Sequence, residues 1–202
     1  MKKYLFIIFG YLFALQVSAQ TIADMFQSMP DAAIPSLNDV DRLQLIRQYA
    51  ESDRAKQTNI FGDTLAIDVL TDDFLSIQLN EAHRLQLKLL PGTAGEKVLC
   101  MVQTFYGPAA ESLVRYYDTR WEHLNISGHM KHFDKNLLTR RPEGMEDEEF
   151  SELKALFDPF LVQLELSAEN TDMTATLSMP QTNKVERERI RAILQPCRLT
   201  WE

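Results

Sequence analysis

From about residue 57 the apolar side chains recur at every second position, and the runs carrying this alternation are joined by very short links. DFLSIQL places Leu75, Ile77 and Leu79 on one side and Ser76 and Gln78 on the other. RLQLKLL repeats the pattern with Leu85, Leu87 and Leu89 against Arg84, Gln86 and Lys88. A period of two marks strands with one face buried. Asn80-Glu81-Ala82 between the runs suits a hairpin turn. PGTAGE makes the next turn before EKVLCMVQTFY, GPAAE breaks the chain before SLVRYY, and Asp118-Thr119 leads into RWEHL. Parallel pairing needs a crossover of about a dozen residues or more, so these links restrict the chain to an antiparallel meander.

Helical periodicity flanks the meander. Ile22, Met25, Phe26 and Met29 fall at spacings of three and four, ending at Met29-Pro30. DAAIPSL is broken by Pro35, and NDVDRLQLIRQYAES opens on a capping Asn38 or Asp39 with Leu43, Ile46 and Tyr49 on one side. Beyond the meander, RPEGMEDEEFSELKALFDP reads as a helix opened by Pro142 and stopped at Asp158-Pro159. LVQLELS and DMTATLSM then alternate as strands, pointing Val162, Leu164 and Leu166, then Met173, Ala175, Leu177 and Met179, inward. A helix over about 183–193 passes at Pro196 into CRLTWE, with Cys197, Leu199 and Trp201 on one face. The expected fold is α+β: N-terminal helices, an antiparallel meander, and a second unit of helix and strands packed on sheet. One mature domain over residues 20–202 is expected, with subunits at 20–135 and 136–202 as its natural division.

The first residues carry an export signal. MKK is a short basic start, YLFIIFGYLFALQV is an apolar run, and Val17-Ser18-Ala19 is a small-residue exit, so residues 1–19 read as a cleaved signal peptide. The run is too short for a mature membrane span, and no later stretch supplies one. Gln20 rather than cysteine follows the expected cut, which argues against a lipoprotein. The implied location is periplasmic or secreted. Removing Lys2 and Lys3 from 21 basic residues leaves 19 against 29 acidic ones, a net charge of −10. Nucleic acid is excluded as a partner on that balance: the most basic stretch, KVERERIRAIL, interleaves Glu186 and Glu188 with its arginines as a solvated helix face does.

Motifs for catalysis are missing from the sequence. HLNISGHMKH gathers His123, His129 and His132, three of the four histidines, within ten positions. These are the only metal candidates, but a structural zinc site wants four close-set ligands and neither HExxH nor a helical histidine pair is present, so a polar turn is the better reading. No cofactor is implied. GxSxG and GxxxxGK are absent, Asp72-Asp73 point to opposite faces if on a strand, and the acids of EDEE spread around a helix axis. Cys100 and Cys197 lie on apolar strand faces; after export they could form a disulfide worth about 4 to 5 kcal/mol in chain entropy, or stay as separate buried thiols. Neither alternative makes Cys100 a nucleophile, because an apolar setting raises its pKa.

Recognition is the remaining possibility. Tyr106, Tyr116, Tyr117 and Trp121 cluster around one hairpin, where aromatic side chains serve either binding or core packing. Tyr116 and Tyr117 must face opposite sides, so one is expected to be more exposed.

The leader followed by MPDAAIPSLNDVDRLQLIRQY, LTDDFLSIQLNEAHRLQLKLL and FYGPAAESLVRYYDTRW resembles a family of secreted Bacteroidales proteins of unknown function, the domain family numbered 3256. The resemblance spans the mature chain and brings no catalytic residue. It implies an envelope or secreted location, and in that setting Asp63-Thr64-Leu65 matches the short pattern for O-glycosylation at Thr64. The function expected is a non-catalytic binding module for an envelope protein or glycan. A polymer hydrolase with carboxylates assembled by the fold, and a carrier with a closed apolar pocket, are the alternatives.

Overall fold

The computed structural model describes residues 20–126, 136–179 and 181–201. The expected leader at 1–19 therefore lies outside the described residues, as do His129 and His132. Seven strands follow one another in sequence and in space as an antiparallel meander: β1 (Ala55–Thr58), β2 (Thr64–Leu70), β3 (Phe74–Asn80), β4 (His83–Pro91), β5 (Lys97–Tyr106), β6 (Ala110–Tyr117) and β7 (His123–Leu124). The fold is α+β, as the pattern of alternation and short links requires.

Two helices cover the inner face. Helix α1 (Ile22–Gln27) begins with a capping box: the Thr21 hydroxyl accepts the Asp24 N–H, and the Asp24 carboxylate accepts the Thr21 N–H at 2.9 Å. Those backbone and side-chain bonds from Thr21 hold the Asp24 carboxyl below its ordinary pKa. Helix α2 (Asp39–Ser52) is capped by Asn38, whose side chain accepts the Asp41 N–H at 3.0 Å. Ile22, Met25 and Phe26 of α1 and Leu45 of α2 bury against Leu75, Ile77, Leu79, Leu85, Leu87 and Leu99 of the sheet. The buried side of α2 is rotated from the expected one: Arg42 and Leu45 are buried, whereas Leu43 is only partly so. Arg42 tolerates burial because its guanidinium donates to the Leu37 carbonyl at 2.6 Å and to Asp31 at 3.0 Å, tying down the segment between the helices.

The outer face departs from the expected pattern. Alternation predicted strands buried on one side, yet Ser76, Gln86, Lys88, Gln103 and Thr104 are buried as well. Of these, Ser76, Gln86, Lys88 and Thr104 share the outer face with Cys100 and Val102, as the register of β3, β4 and β5 shows. A second unit covers the middle of that face. It comprises helix α3 (Asp147–Ala155), β8 (Val162–Leu166), β9 (Met173–Leu177), helix α4 (Lys184–Ile193) and β10 (Cys197–Leu199). Its strands form a separate antiparallel sheet in the order β10-β9-β8. Leu164, Leu166, Met173, Ala175, Leu177, Ile190 and Ile193 pack there against Phe74, Leu90, Val98, Cys100, Val102 and Tyr116. Helix α3 starts later than Pro142 suggested, because Gly144 at φ +83 interrupts the helical path.

Strand β8 pairs with β9 on one side only, and side chains of the large sheet satisfy its other edge. The Leu164 N–H donates to Ser112 Oγ at 2.9 Å and the Leu166 N–H to Gln86 Oε1 at 3.1 Å. Just beyond the strand, the Ala168 carbonyl accepts from Lys88 Nζ at 3.1 Å. Lys88 also pairs with Asp73 at 3.0 Å and lies 5.7 Å from the Phe74 ring centroid. The C-terminal tail adds a bond from Trp201 Nε1 to the Pro91 carbonyl at 2.7 Å.

The free edge of β1 is also engaged: the Lys56 N–H donates to Gln48 Oε1 of α2 at 3.1 Å. At the β1–β2 turn, Asn59 Oδ1 accepts the Phe61 and Asp63 N–H groups at 2.9 Å each, and its Nδ2 donates to the Ser36 carbonyl at 3.2 Å.

The buried lysine gives a direct test of the contact between the sheets. Lys88→Ala removes its stem and its bonds to Asp73 and Ala168, and is expected to cost about 2 to 4 kcal/mol in urea unfolding. Lys88→Met, which keeps the stem volume while Asp73 turns to solvent, is expected to cost less. Identical unfolding midpoints for Lys88→Ala and the parent would show that the lysine holds nothing.

Candidate functional site

The second unit leaves the β1–β4 end of the outer face open. There the register aligns Lys56, Ala66, Gln78, Arg84 and Thr104 as one cross-strand row. The next row carries Ser76 and Gln86. A β-bulge between Ile67 and Val69 places Asp68 as the extra residue on β2, and Ser76 Oγ donates to its carboxylate at 3.4 Å. Bulges bend a strand and re-aim its side chains, which turns Asp68 toward this face.

Two adjoining concavities follow these rows. One, of about 670 Å³, lies between the β1–β2 and β3–β4 turns over Lys56, Asp63, Thr64, Ala66, Gln78 and Glu81. The other, of about 610 Å³, lies between the β2–β4 face and the β8–β9 turn over Asp68, Ser76, Arg84, Gln86, Glu165 and Glu169. Small residues at Ala66 and Ser76 lower the floor, while longer polar side chains form the walls. The result is an open trough with polar side chains along its walls, floored by the sheet.

Arg84 lines the second concavity, and its register partner Gln78 lines the first. The Arg84 guanidinium lies 5.8 Å from the centroid of the Tyr106 ring, and its Nη2 is 3.4 Å from Glu165 Oε1. Neighbouring His83 faces the other way, stacked on Phe105 at 4.3 Å, where burial lowers its pKa against the opposing effect of a Gln103 hydrogen bond.

The aromatic residues singled out from sequence do not form one surface. Tyr106 reaches the trough through Arg84. Tyr116 is buried in the outer core, 5.6 Å from Trp201, whereas Tyr117 is half-buried against the inner core. The difference in exposure between these neighbours matches the expected alternation. Trp121 is not part of the strand that RWEHL suggested: it sits at φ +65 in the turn before the two-residue β7. Its Nε1 donates to the Met25 carbonyl at 3.1 Å and its ring lies 5.2 Å from Tyr117, so it anchors α1 to the sheet. In that turn Asp118 accepts backbone N–H groups of Glu122 and Arg120, which holds its carboxyl below the ordinary pKa.

His123 is exposed and meets Tyr117 edge-on at 5.8 Å. Among the described residues no three His, Cys, Asp or Glu side chains converge as metal ligands. Thr64 is exposed at the start of β2 and lines the trough. Cys100 and Cys197 are free thiols, so the disulfide alternative is not realised. Cys100 belongs to β5 in the outer core, where burial pushes its pKa far above the ordinary thiol value despite a hydrogen bond with Tyr116.

Sequence reasoning missed Asp68, Arg84 and Glu165 as a group. Arg84 and Glu165 are brought together only when β8 docks on the sheet, and the bulge at Asp68 interrupts no apolar alternation that would reveal it.

The architecture and trough define an α+β domain of two antiparallel sheets with an open polar groove. The chain belongs to the family described as "Protein of unknown function (DUF3256)", whose profile matches residues 14–202. Its fold is similar to that in "Structure of a domain of an uncharacterized protein from Porphyromonas gingivalis W83", with a TM-score of 0.73 and 20% identity over 91% of this chain and 96% of that one. Among curated proteins none matches the chain.

The two thiols are expected to differ in reactivity. Intact-mass measurement after alkylation without reductant should show rapid addition at half-buried Cys197, with Cys100 reacting only in denaturant. Failure to alkylate either thiol in denaturant until reductant is added would instead establish a disulfide.

Proposed function

We propose that this protein is a non-catalytic binding module of the bacterial envelope, periplasmic or secreted, that holds an extended polysaccharide along the outer-face trough. The observation that carries this reading is the pair of concavities on the uncovered sheet, floored by the small residues Ala66 and Ser76 and walled by hydrogen-bonding side chains. An open channel over several strands suits a chain that enters and leaves at its ends, whereas an enclosed small ligand would be better served by a closed apolar pocket. The export leader in the sequence supports the location, and none of the helices in the described residues is long and apolar enough to cross a membrane.

The carboxylates of the second concavity do not favour hydrolysis over binding. Asp68 accepts from Ser76, Glu165 faces Arg84, and Glu169 accepts from Ser167 at 3.0 Å. These contacts account for the three acids as parts of a polar wall.

Native affinity electrophoresis through gels containing soluble envelope polysaccharides tests the reading. Retardation is expected for the purified protein and is expected to vanish in Ala66→Trp, which fills the floor without touching either core. Circular dichroism and the melting temperature serve as fold controls for the variant. Undiminished retardation of a folded Ala66→Trp protein would remove the trough as the binding site.

A further inference from the structure

Arg84 combines burial with unmet hydrogen-bonding capacity. Its side chain is 17% exposed, and neither Nε nor Nη2 has a hydrogen-bond partner among the described residues. Glu165, at 3.4 Å, is close enough for charge pairing but is not aligned as a hydrogen bond. The Glu165 side chain is itself 55% exposed, so it can exchange this contact for water. A guanidinium presents a planar fork matched to two parallel hydrogen bonds with one carboxylate, and Tyr106 beneath it limits its rotation.

The geometry points to Arg84 as a specificity residue that takes a carboxylate of the bound chain after displacing Glu165. This inference rests on the trough being a polysaccharide site and assigns the class of sugar it selects. Asp68 and Glu169 line the same concavity and repel a densely charged polyanion. The matching ligand carries isolated carboxylates between neutral, hydroxyl-rich units, as a polysaccharide with interspersed uronates does. Glu165 then acts as an internal competitor, occupying the guanidinium until a better-aligned carboxylate arrives.

The probes are a hyaluronan hexasaccharide, in which uronate alternates with a neutral sugar, and its carboxyl-reduced counterpart, titrated into the purified protein by NMR up to millimolar concentration. The acidic form is expected to bind about tenfold more tightly than the reduced form, the scale of one charge-assisted contact. Arg84→Gln is expected to erase that preference, bringing the affinities for the acidic and reduced forms together. Glu165→Gln is expected to raise affinity for the acidic form about threefold or more, by removing the competitor. Melting temperatures of both variants provide fold controls, and Arg84→Lys, which keeps charge without the fork, should fall between the parent and Arg84→Gln. Equal binding of the two sugars by the parent would overturn the role of Arg84 and leave the trough reading standing. Weaker acidic-sugar binding by a folded Glu165→Gln protein would also overturn it, since Glu165 would then assist binding. Absence of shifts with either sugar would overturn both readings.

Discussion

The structure turns on how the free edge of β8 is satisfied. A strand paired on one side only leaves a row of backbone groups without partners, and burying such a row is unfavourable unless acceptors and donors are supplied. Here Ser112, Gln86 and Lys88 project from the large sheet to meet that edge. The small sheet is thus seated by polar contacts inside an otherwise apolar interface, and those contacts fix its position across β4 and β6. Apolar packing alone is tolerant of sliding; hydrogen bonds at named carbonyls and amides are not. Because the small sheet is held over the middle of the face, the β1–β4 end stays uncovered and becomes the trough.

The same contacts explain how far the fold could be read from the sequence. Hairpins, strand order and inward-facing leucines follow from a period of two and from link length, both local properties. The helices are also visible locally, through Asn38 and the spacing of Ile22, Met25 and Phe26. What was not legible is which polar residues become buried. Gln86 and Lys88 look like ordinary solvent-facing members of an alternating strand, and their partners at Leu166 and Ala168 are each 80 residues away. Arg42 was hidden for a similar reason: its acceptors lie in the preceding segment, so the helix rolls to admit a charged residue that periodicity would place outside. The candidate site suffered most, because the Arg84–Glu165 pair arises from docking and Asp68 from a bulge. The aromatic cluster, by contrast, was obvious in the sequence and proved to be mostly a means of packing α1 and the C-terminal tail.

Membership in a family of unknown function and a shared fold at 20% identity establish architecture but assign no ligand. Function must therefore be argued from this chain's surface, and the surface divides clearly. One side of the sheet is sealed by α1 and α2 over leucine, isoleucine and methionine. The other is half sealed and half open, with its open part channelled and walled by polar side chains. Binding sites on sheet faces need little reorganisation when occupied, since the backbone hydrogen bonds that shape them are already made.

The ends of the meander have a consequence for the protein's behaviour at high local concentration. An exposed sheet margin can recruit a strand from another molecule and seed ordered aggregates. At one margin Gln48 occupies the Lys56 amide from the side of α2, and at the other β7 is only two residues long. The β1 border is thus a four-residue strand with one of its amides already taken, which works against intermolecular β-stacking from that side of the leucine-rich sheet.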